Sequence, residues 1–297
     1  MTLRQKKKIV ARRTRFNENL LKWSSENFRT YPWREDQSGP YHVLIAEILL
    51  KRTTATAALR VYQLFLDRFP NFEALSLATE DQLTQVLAPI GLNRQRASSV
   101  VGMTRWICDQ CSGVIPDSLE ELLKIPGLGP YSARAILSFG FGIRTSIVDG
   151  NVARIINRFF HKTFKAEQTW LECRDIAELL LPEINHKKFN YALIDLGGTV
   201  CRPSSPKCDR CPLSSECEYV AIPGKSSASR TQTVLRSTRI SHGLSLVGLA
   251  KLAGLSKQTI MNAESARTRP THRTLLALGT ALGVPHENLV TEQPIKR

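Results

Sequence analysis

The sequence contains no apolar run long enough to cross a bilayer. About 18 uninterrupted residues would be needed, and the longest candidate, Val43 to Leu50, is broken by Glu47. Met1 to Phe16 is basic but lacks the apolar stretch of a secretory leader, so neither a membrane protein nor an exported one is expected. Acidic residues are scarce: 26 Asp and Glu face 41 Lys and Arg, a formal charge of +15 over 297 residues. Such an imbalance calls for a polyanionic partner, nucleic acid foremost. Two-residue hydrophobic alternation is missing, which argues against sheet. The seven cysteines are odd in number and unevenly placed, which argues against a disulfide framework. At 42% apolar and 23% charged the chain is globular rather than disordered. Its length is about twice a typical ~150-residue domain, so two units are expected.

Helical periodicity is what the sequence does have. Arg4 to Arg15 reads as a basic arm and Phe16 to Phe28 as a first helix, together residues 1–28. Leu44, Ile48 and Leu49, then Ala58, Val61, Tyr62 and Phe65, recur at helical spacing. The pattern continues through Asn190 to Val200, each segment bounded by Gly, Pro, Asn or Asp. An all-α unit over residues 29–222 follows. Residues 223–233, small and polar, read as a linker, and helical periodicity resumes in a second basic unit, residues 234–297.

Three features carry chemistry. Cys201, Cys208, Cys211 and Cys217 crowd into 17 residues, which in a reducing compartment reads as metal ligation. Four thiolates accept either zinc or an iron–sulfur cluster, and the spacing alone leaves both open. Cys108 and Cys111 lie within a helical segment without a second pair, and Cys173 reads as core. Next, Gly127 and Gly129 punctuate two helical segments. They permit positive φ and leave N–H groups uncovered at a helix start, where one DNA phosphate would fit; an ordinary helix–helix turn fits as well. Finally, Asp149 stands just before an amphipathic helix, where its ordinary role is an N-cap worth ~1 kcal/mol. Glu47 lies on an apolar helix face and must be paired, protonated or functional. Two carboxylates can divide acid and stabiliser roles in cleaving a glycosidic bond.

Taken together, Pro126-Gly127-Leu128-Gly129, Val148-Asp149-Gly150-Asn151 and the Cys-x6-Cys-x2-Cys-x5-Cys run resemble the endonuclease III/MutY superfamily of DNA glycosylases, over residues 29–219. The resemblance implies two helical lobes flanking a DNA-binding groove and a [4Fe–4S] cluster on the four cysteines of the loop 201–217. Tyr131 stands where bifunctional members carry a Schiff-base lysine, which implies a monofunctional enzyme. Adenine-specific members carry serine there and Gly-Tyr-Tyr-Ala-Arg upstream. Here that stretch reads Gly91-Leu92-Asn93-Arg94-Gln95-Arg96-Ala97, and no domain for reading oxidised guanine is apparent. The run from Ala46 to Thr54, the Gly91 segment and Tyr131 are similar to thymine–DNA mismatch glycosylases, which implies excision of thymine or uracil opposite guanine in double-stranded DNA. Asp149 would then stabilise the oxocarbenium ion, Glu47 would contact or help protonate the flipped base, and Tyr131 would line the pocket. Arg52 would fill the gap left in the stack, and Asp195 would be structural. Two other readings are an adenine glycosylase acting opposite guanine or oxidised guanine, and a sequence-specific regulator with an inactive glycosylase lobe.

Residues 244–264 resemble a helix-turn-helix of the Cro/C1 repressor type. Gly254 allows the turn, Ser256 caps the second helix, and Leu249, Ala250, Leu255 and Ile260 pack the pair. Thr274 to Leu282 would close the domain. Lys257, Gln258 and Thr259 would face the major groove. The resemblance implies a DNA-binding unit that raises local affinity or directs repair, a possible homodimer contact, and a cytoplasmic, nucleoid-associated enzyme.

Overall fold

A computed structural model of the chain describes residues 1–35, 38–160, 169–221, 234–264 and 270–289. It divides into two compact units, Met1–Ala221 and Ile222–Arg297. The expected linker and the last eight residues lie outside the described ones. The described residues contain helices, turns and no strand, so the all-α expectation holds. None of these helices is long and apolar enough to cross a membrane.

The first unit opens with α1 (Leu3–Asn27), and here the sequence reading needs correction. The expected basic arm is no arm: it is the first half of one 25-residue helix. Thr2 and Gln5 form a capping box at its start, and Ile9 extends the buried stripe of Phe16 and Leu20 back into the basic stretch. The positive residues on one face have protein partners. Lys8 pairs with Glu218 at 2.6 Å, Arg15 with Glu216 at 2.6 Å, and Arg12 with Glu218 at 3.0 Å. Arg12 also donates to the Glu216 carbonyl and lies over the Phe159 ring, 4.2 Å from its centroid. Basic composition masked an amphipathic helix because long cationic side chains bury their stems and keep their heads polar.

The chain continues through α2 (Pro40–Leu50), α3 (Ala55–Arg68), α4 (Phe72–Ser76), α5 (Glu80–Leu87), α6 (Asn93–Cys111), α7 (Leu119–Leu122) and α8 (Pro130–Ala135). A wide π-turn over Ile136–Gly140 follows, then α9 (Gly150–Phe159), α10 (Thr169–Leu180) and α11 (His186–Thr199). Their cores define two lobes. The contiguous middle of the chain, from Trp33 to Ile147, packs around Leu44, Leu49, Tyr62, Phe65 and Ile136. The second lobe joins both ends of the unit, packing Phe16 and Leu20 of α1 against Ile156, Phe159 and Phe189. Two glycines allow close helix approaches. A Cβ on Gly140 would come within 2.7 Å of Pro40 Cα, and one on Gly197 within 2.5 Å of Asn151 Cβ.

The segment between the lobes is fastened by Asp195, which is 1% exposed. Its carboxylate accepts from Arg34 at 2.8 and 3.0 Å and from Arg29 Nε at 2.6 Å. The Arg34 guanidinium also stands 4.4 Å from the Tyr191 ring centroid. The geometry agrees with a structural role for Asp195.

In the second unit, α12 (Val234–Ser241), α13 (Leu246–Ala253), α14 (Lys257–Glu264) and α15 (His272–Leu282) surround Leu235, Leu249, Ile260, Leu278 and Leu289. Gly254, at φ 63°, ends α13 in the left-handed region and turns the chain into α14. Ser256 Oγ accepts from the Thr259 N–H at 3.0 Å, the expected cap. A buried Arg239–Glu264 pair, with contacts at 2.5 and 3.0 Å, ties α12 to α14.

Removing one member of a buried ion pair leaves the others uncompensated, at a cost of about 3–5 kcal/mol. Asp195→Ala is expected to destabilise the first unit by that order, read as a lower midpoint of denaturant unfolding. An unchanged midpoint would show that Arg29 and Arg34 are held by other contacts.

Candidate active site

Three elements bring the predicted residues together. Glu47 comes from the last turns of α2, Tyr131 from the start of α8, and Asp149 from the residue before α9. Asp149 is the N-cap that its position predicts. Its Oδ1 accepts from the N–H groups of Asn151 and Val152, both at 2.8 Å, and its Oδ2 accepts from Asn151 Nδ2 at 2.8 Å. Capping does not compete with a charge-stabilising role. It fixes the carboxylate in one orientation at the positive end of a ten-residue helix.

Glu47 is only partly reachable from solvent, and burial pushes its pKa from 4.5 up to about 7. Ser132 Oγ donates to Glu47 Oε2 at 3.0 Å and opposes that rise, while the negative charge of Asp149 adds to it. Tyr131 is driven well above the usual phenol range, first by burial, then by Glu47 and Asp149. It is therefore a neutral phenol that both carboxylates feel.

Glu47 opens onto a pocket of about 130 Å³ walled by α2, α6 and the α7–α8 turn, with Gln95, Met103, Leu128 and Ser132 among its lining. Arg52 and Gly127 also line it. Arg52 is exposed, and its backbone is in the left-handed region at φ 58°, unusual for a non-glycine residue. Arg96 explains how that loop is held. It donates to the carbonyls of Ile48 at 2.8 Å, Lys51 at 2.6 Å and Gly91 at 3.1 Å, and to Thr53 Oγ1 at 2.7 Å. The α7–α8 turn departs from expectation in one detail. Gly127 has φ 84°, but Gly129 has φ −100° and serves as the uncapped start of α8. No side chain caps that start, because Gly129 carries none, and Pro130 at the first helical position has no N–H to offer.

Cys201, Cys208, Cys211 and Cys217 line one small cavity together with Arg158, Pro206 and Tyr219. Burial, and then mutual repulsion among the thiols, pushes Cys211 up to about 12, so the site favours four thiolates only around a positive centre. Arg158 supplies positive charge beside it, donating to Cys201 Sγ at 3.4 Å and to the Arg202 and Pro203 carbonyls at 2.8 and 2.9 Å. Among the described residues, no three His, Cys, Asp or Glu side chains draw in on one point closely enough for a single ion. Four thiol donors lining one cavity fit a metal group held by four thiolates.

Sequence reasoning missed four supporting residues. Ser132 follows Tyr131 directly, but its bond to Glu47 needs α2 and α8 to meet. Arg96 was read only as one residue of the Gly91 segment, with no role of its own. Asn151 and Arg154 complete a chain of bonds: Asn151 Oδ1 accepts from Arg154 Nη2 at 2.7 Å, and Arg154 Nε donates to the Cys201 carbonyl at 2.8 Å. In the second unit Lys257 and Gln258 are exposed at the start of α14, while the Thr259 hydroxyl is engaged with Ser256 Oγ at 2.8 Å.

A two-lobed helical unit with a glycine hairpin, paired carboxylates and a four-thiol loop defines a class of DNA-repair enzyme, and comparison with known proteins agrees. Residues 45–178 match the HhH-GPD superfamily base excision DNA repair protein, and residues 233–291 match a helix-turn-helix domain. A thymine/uracil-DNA glycosylase of Methanothermobacter thermautotrophicus is 31% identical over 209 residues, covering 69% of this chain and 92% of that protein. An adenine DNA glycosylase of Buchnera aphidicola subsp. Baizongia pistaciae is 33% identical over 204 residues, covering 68% of this chain and 58% of its own length. The solved structure of a thermostable thymine-DNA glycosylase superposes with a TM-score of 0.67 at 31% identity, covering 71% of this chain and 97% of that one. The chain belongs to the HhH-GPD superfamily of base excision DNA repair proteins, with a helix-turn-helix domain at its C-terminal end. Its activity is that of a DNA glycosylase, and its partner is DNA.

A carboxyl whose native pKa lies above its unfolded value holds its proton more tightly when folded. Stability is then full below the unfolded value and declines as pH rises through the native one. For Glu47 that window runs from about 4.5 to about 7. Glu47→Gln is expected to be more stable than the parent at pH 8, with the gap closing below pH 4.5, as read from denaturant unfolding across pH. A gap independent of pH would place the effect in packing.

Proposed function

We propose that the enzyme is a monofunctional glycosylase that removes thymine or uracil mispaired with guanine. The observation that carries this reading is the meeting of a caged Asp149, a proton-retaining Glu47 and a neutral Tyr131. The mispaired nucleotide leaves the stack at lower cost than a paired one. Arg52, presented by the Arg96-held loop at the pocket mouth, fills the vacated space, while the backbone of the Gly127–Gly129 turn takes a phosphate. As the N-glycosidic bond breaks, its electron pair leaves with the base and positive charge builds on the sugar. Asp149 faces that charge and orients the water that adds to the sugar carbon. Glu47, near half-protonated at neutral pH, donates to the departing base or hydrogen-bonds it. Tyr131 offers no amine, so no imine with the sugar forms and strand cleavage is left to another enzyme.

Cys201, Cys208, Cys211 and Cys217 would hold a [4Fe–4S] cluster. Bound there, the cluster would supply a rigid, multivalent cross-link for the loop. Arg154 and Asn151 carry the position of that loop to Asp149, and Lys8, Arg12 and Arg15 of α1 hold it from the other side.

Excision on duplexes carrying G·T, G·U, G·A or oxidised G·A pairs tests the base assignment; release of adenine alone would favour the adenine glycosylases among the relatives. Asp149→Asn is expected to lower G·T excision by at least ~10²–10³-fold while binding to the mispaired duplex survives, and borohydride is expected to trap no covalent adduct with the parent. Full activity of the variant would remove Asp149 from the mechanism, and a trapped adduct would remove the monofunctional assignment.

The purified chain is expected to contain iron and sulfide in equal amounts. Arg12→Ala is expected to lose iron to a chelator faster than the parent, followed by visible absorbance. Zinc in place of iron would refute the cluster.

A further inference from the structure

The two units share one chain, and the second carries more than its share of charge. Residues 222–297 hold 11 Lys and Arg against 3 acids, so this quarter of the sequence supplies +8 of the +15. One of those acids, Glu264, is already matched by Arg239. The outward side of α14 carries specific chemistry. Lys257 and Gln258 are exposed, Gln258 Nε2 donates to Asn262 Oδ1 at 2.9 Å, and beside them Met261 leaves 41% of its surface open. A side-chain amide matches the donor–acceptor edge of adenine, and an exposed apolar group matches the methyl of thymine. The Gln258–Asn262 amide pair and the adjacent Met261 therefore offer the chemistry that an A·T edge would take, on a helix tied down by the Ser256 cap and the Arg239–Glu264 pair.

The reach between the units has an upper limit whatever path the chain takes. Ala221 and Val234 are thirteen residues apart, at most ~3.6 Å per residue, or about 47 Å. One turn of B-DNA is about 34–36 Å. Adding about 45 Å and about 30 Å, the widths expected of units this size, gives at most about 120 Å, so on straight B-DNA they act within roughly three helical turns of each other. Joining two DNA-binding modules at such a distance turns the second binding event into an intramolecular one and can raise occupancy 10²–10⁴-fold.

We propose that the C-terminal unit directs base excision to particular DNA neighbourhoods: α14 reads a sequence containing A·T pairs, and the tether confines excision to within roughly three turns of it. The proposal rests on the glycosylase reading above.

The test uses the full chain and a pool of duplexes with one fixed G·T or G·U pair flanked on each side by 60 randomised base pairs. Limiting enzyme is added, the earliest abasic strands are cut with alkali and sequenced, and bound but uncut duplexes are sequenced in parallel. The expected result is a common motif containing A·T pairs, enriched at least ~tenfold among early-cut strands and confined to within about 30 base pairs of the mispair. Gln258→Ala and Gln258→Glu are both expected to lose the enrichment. Early cutting with no enriched motif, or with a motif beyond that distance, overturns the targeting and leaves the glycosylase reading standing. A motif made only of G·C pairs, or one that survives both substitutions, overturns the assignment of α14 as reader. A motif among bound duplexes with no cutting at all overturns directed excision and the mispair reading together, and favours a DNA-binding regulator.

Discussion

The structure turns on the position of one carboxylate. Asp149 stands at a helix start, where two backbone N–H groups and the Asn151 amide fix both its oxygens. A group that must meet a short-lived positive charge gains most when it needs no reorganisation at the moment of reaction, and an N-cap is among the most constrained positions a side chain can occupy. Under the proposed function, capping and catalysis would be one arrangement: the helix orients the group, and the group completes the helix.

That arrangement has to be carried by the rest of the unit, because Asp149, Glu47 and Tyr131 arrive from different elements. The close approaches at Gly140 and Gly197 set how α2 meets the turn after α8 and how α11 meets α9. The Arg29–Arg34–Asp195 knot pins the segment joining the lobes. From the cysteine loop, the Cys201 carbonyl, Arg154 and Asn151 form a continuous line of hydrogen bonds to Asp149. The loop that holds thiols is in this way part of the mechanical frame around Asp149, and the basic first helix, gripping Glu216 and Glu218, frames it from outside.

Electrostatics divides the labour among similar groups. Glu47 and Asp149 are both carboxylates, yet one is placed against apolar surface with a single hydroxyl donor and the other receives three nitrogen donors. Environment alone gives one a reason to keep its proton and the other a reason to accept hydrogen bonds. The same principle separates the cations: Arg96 and Arg154 spend their donors on backbone carbonyls and act as struts, whereas Arg52 stands exposed at the pocket.

Much was legible from residue order. Helical period, the glycine hairpin, the cap before α9, the four-cysteine run and the helix-turn-helix all obey local rules, since each needs only neighbours within a few turns of chain. Sequence reading failed where charge concealed amphipathicity, as in the first helix, and where a side chain's partner is distant. Ser132 meets Glu47 across 85 positions, and Arg96 meets the Ile48 carbonyl across 48. The sequence by itself determined which elements form and which chemical groups are available. Only the tertiary structure decided which of those groups share a pocket, which carboxyl holds a proton and which arginines are struts, because burial, field and hydrogen-bond partner depend on what the folded chain brings near.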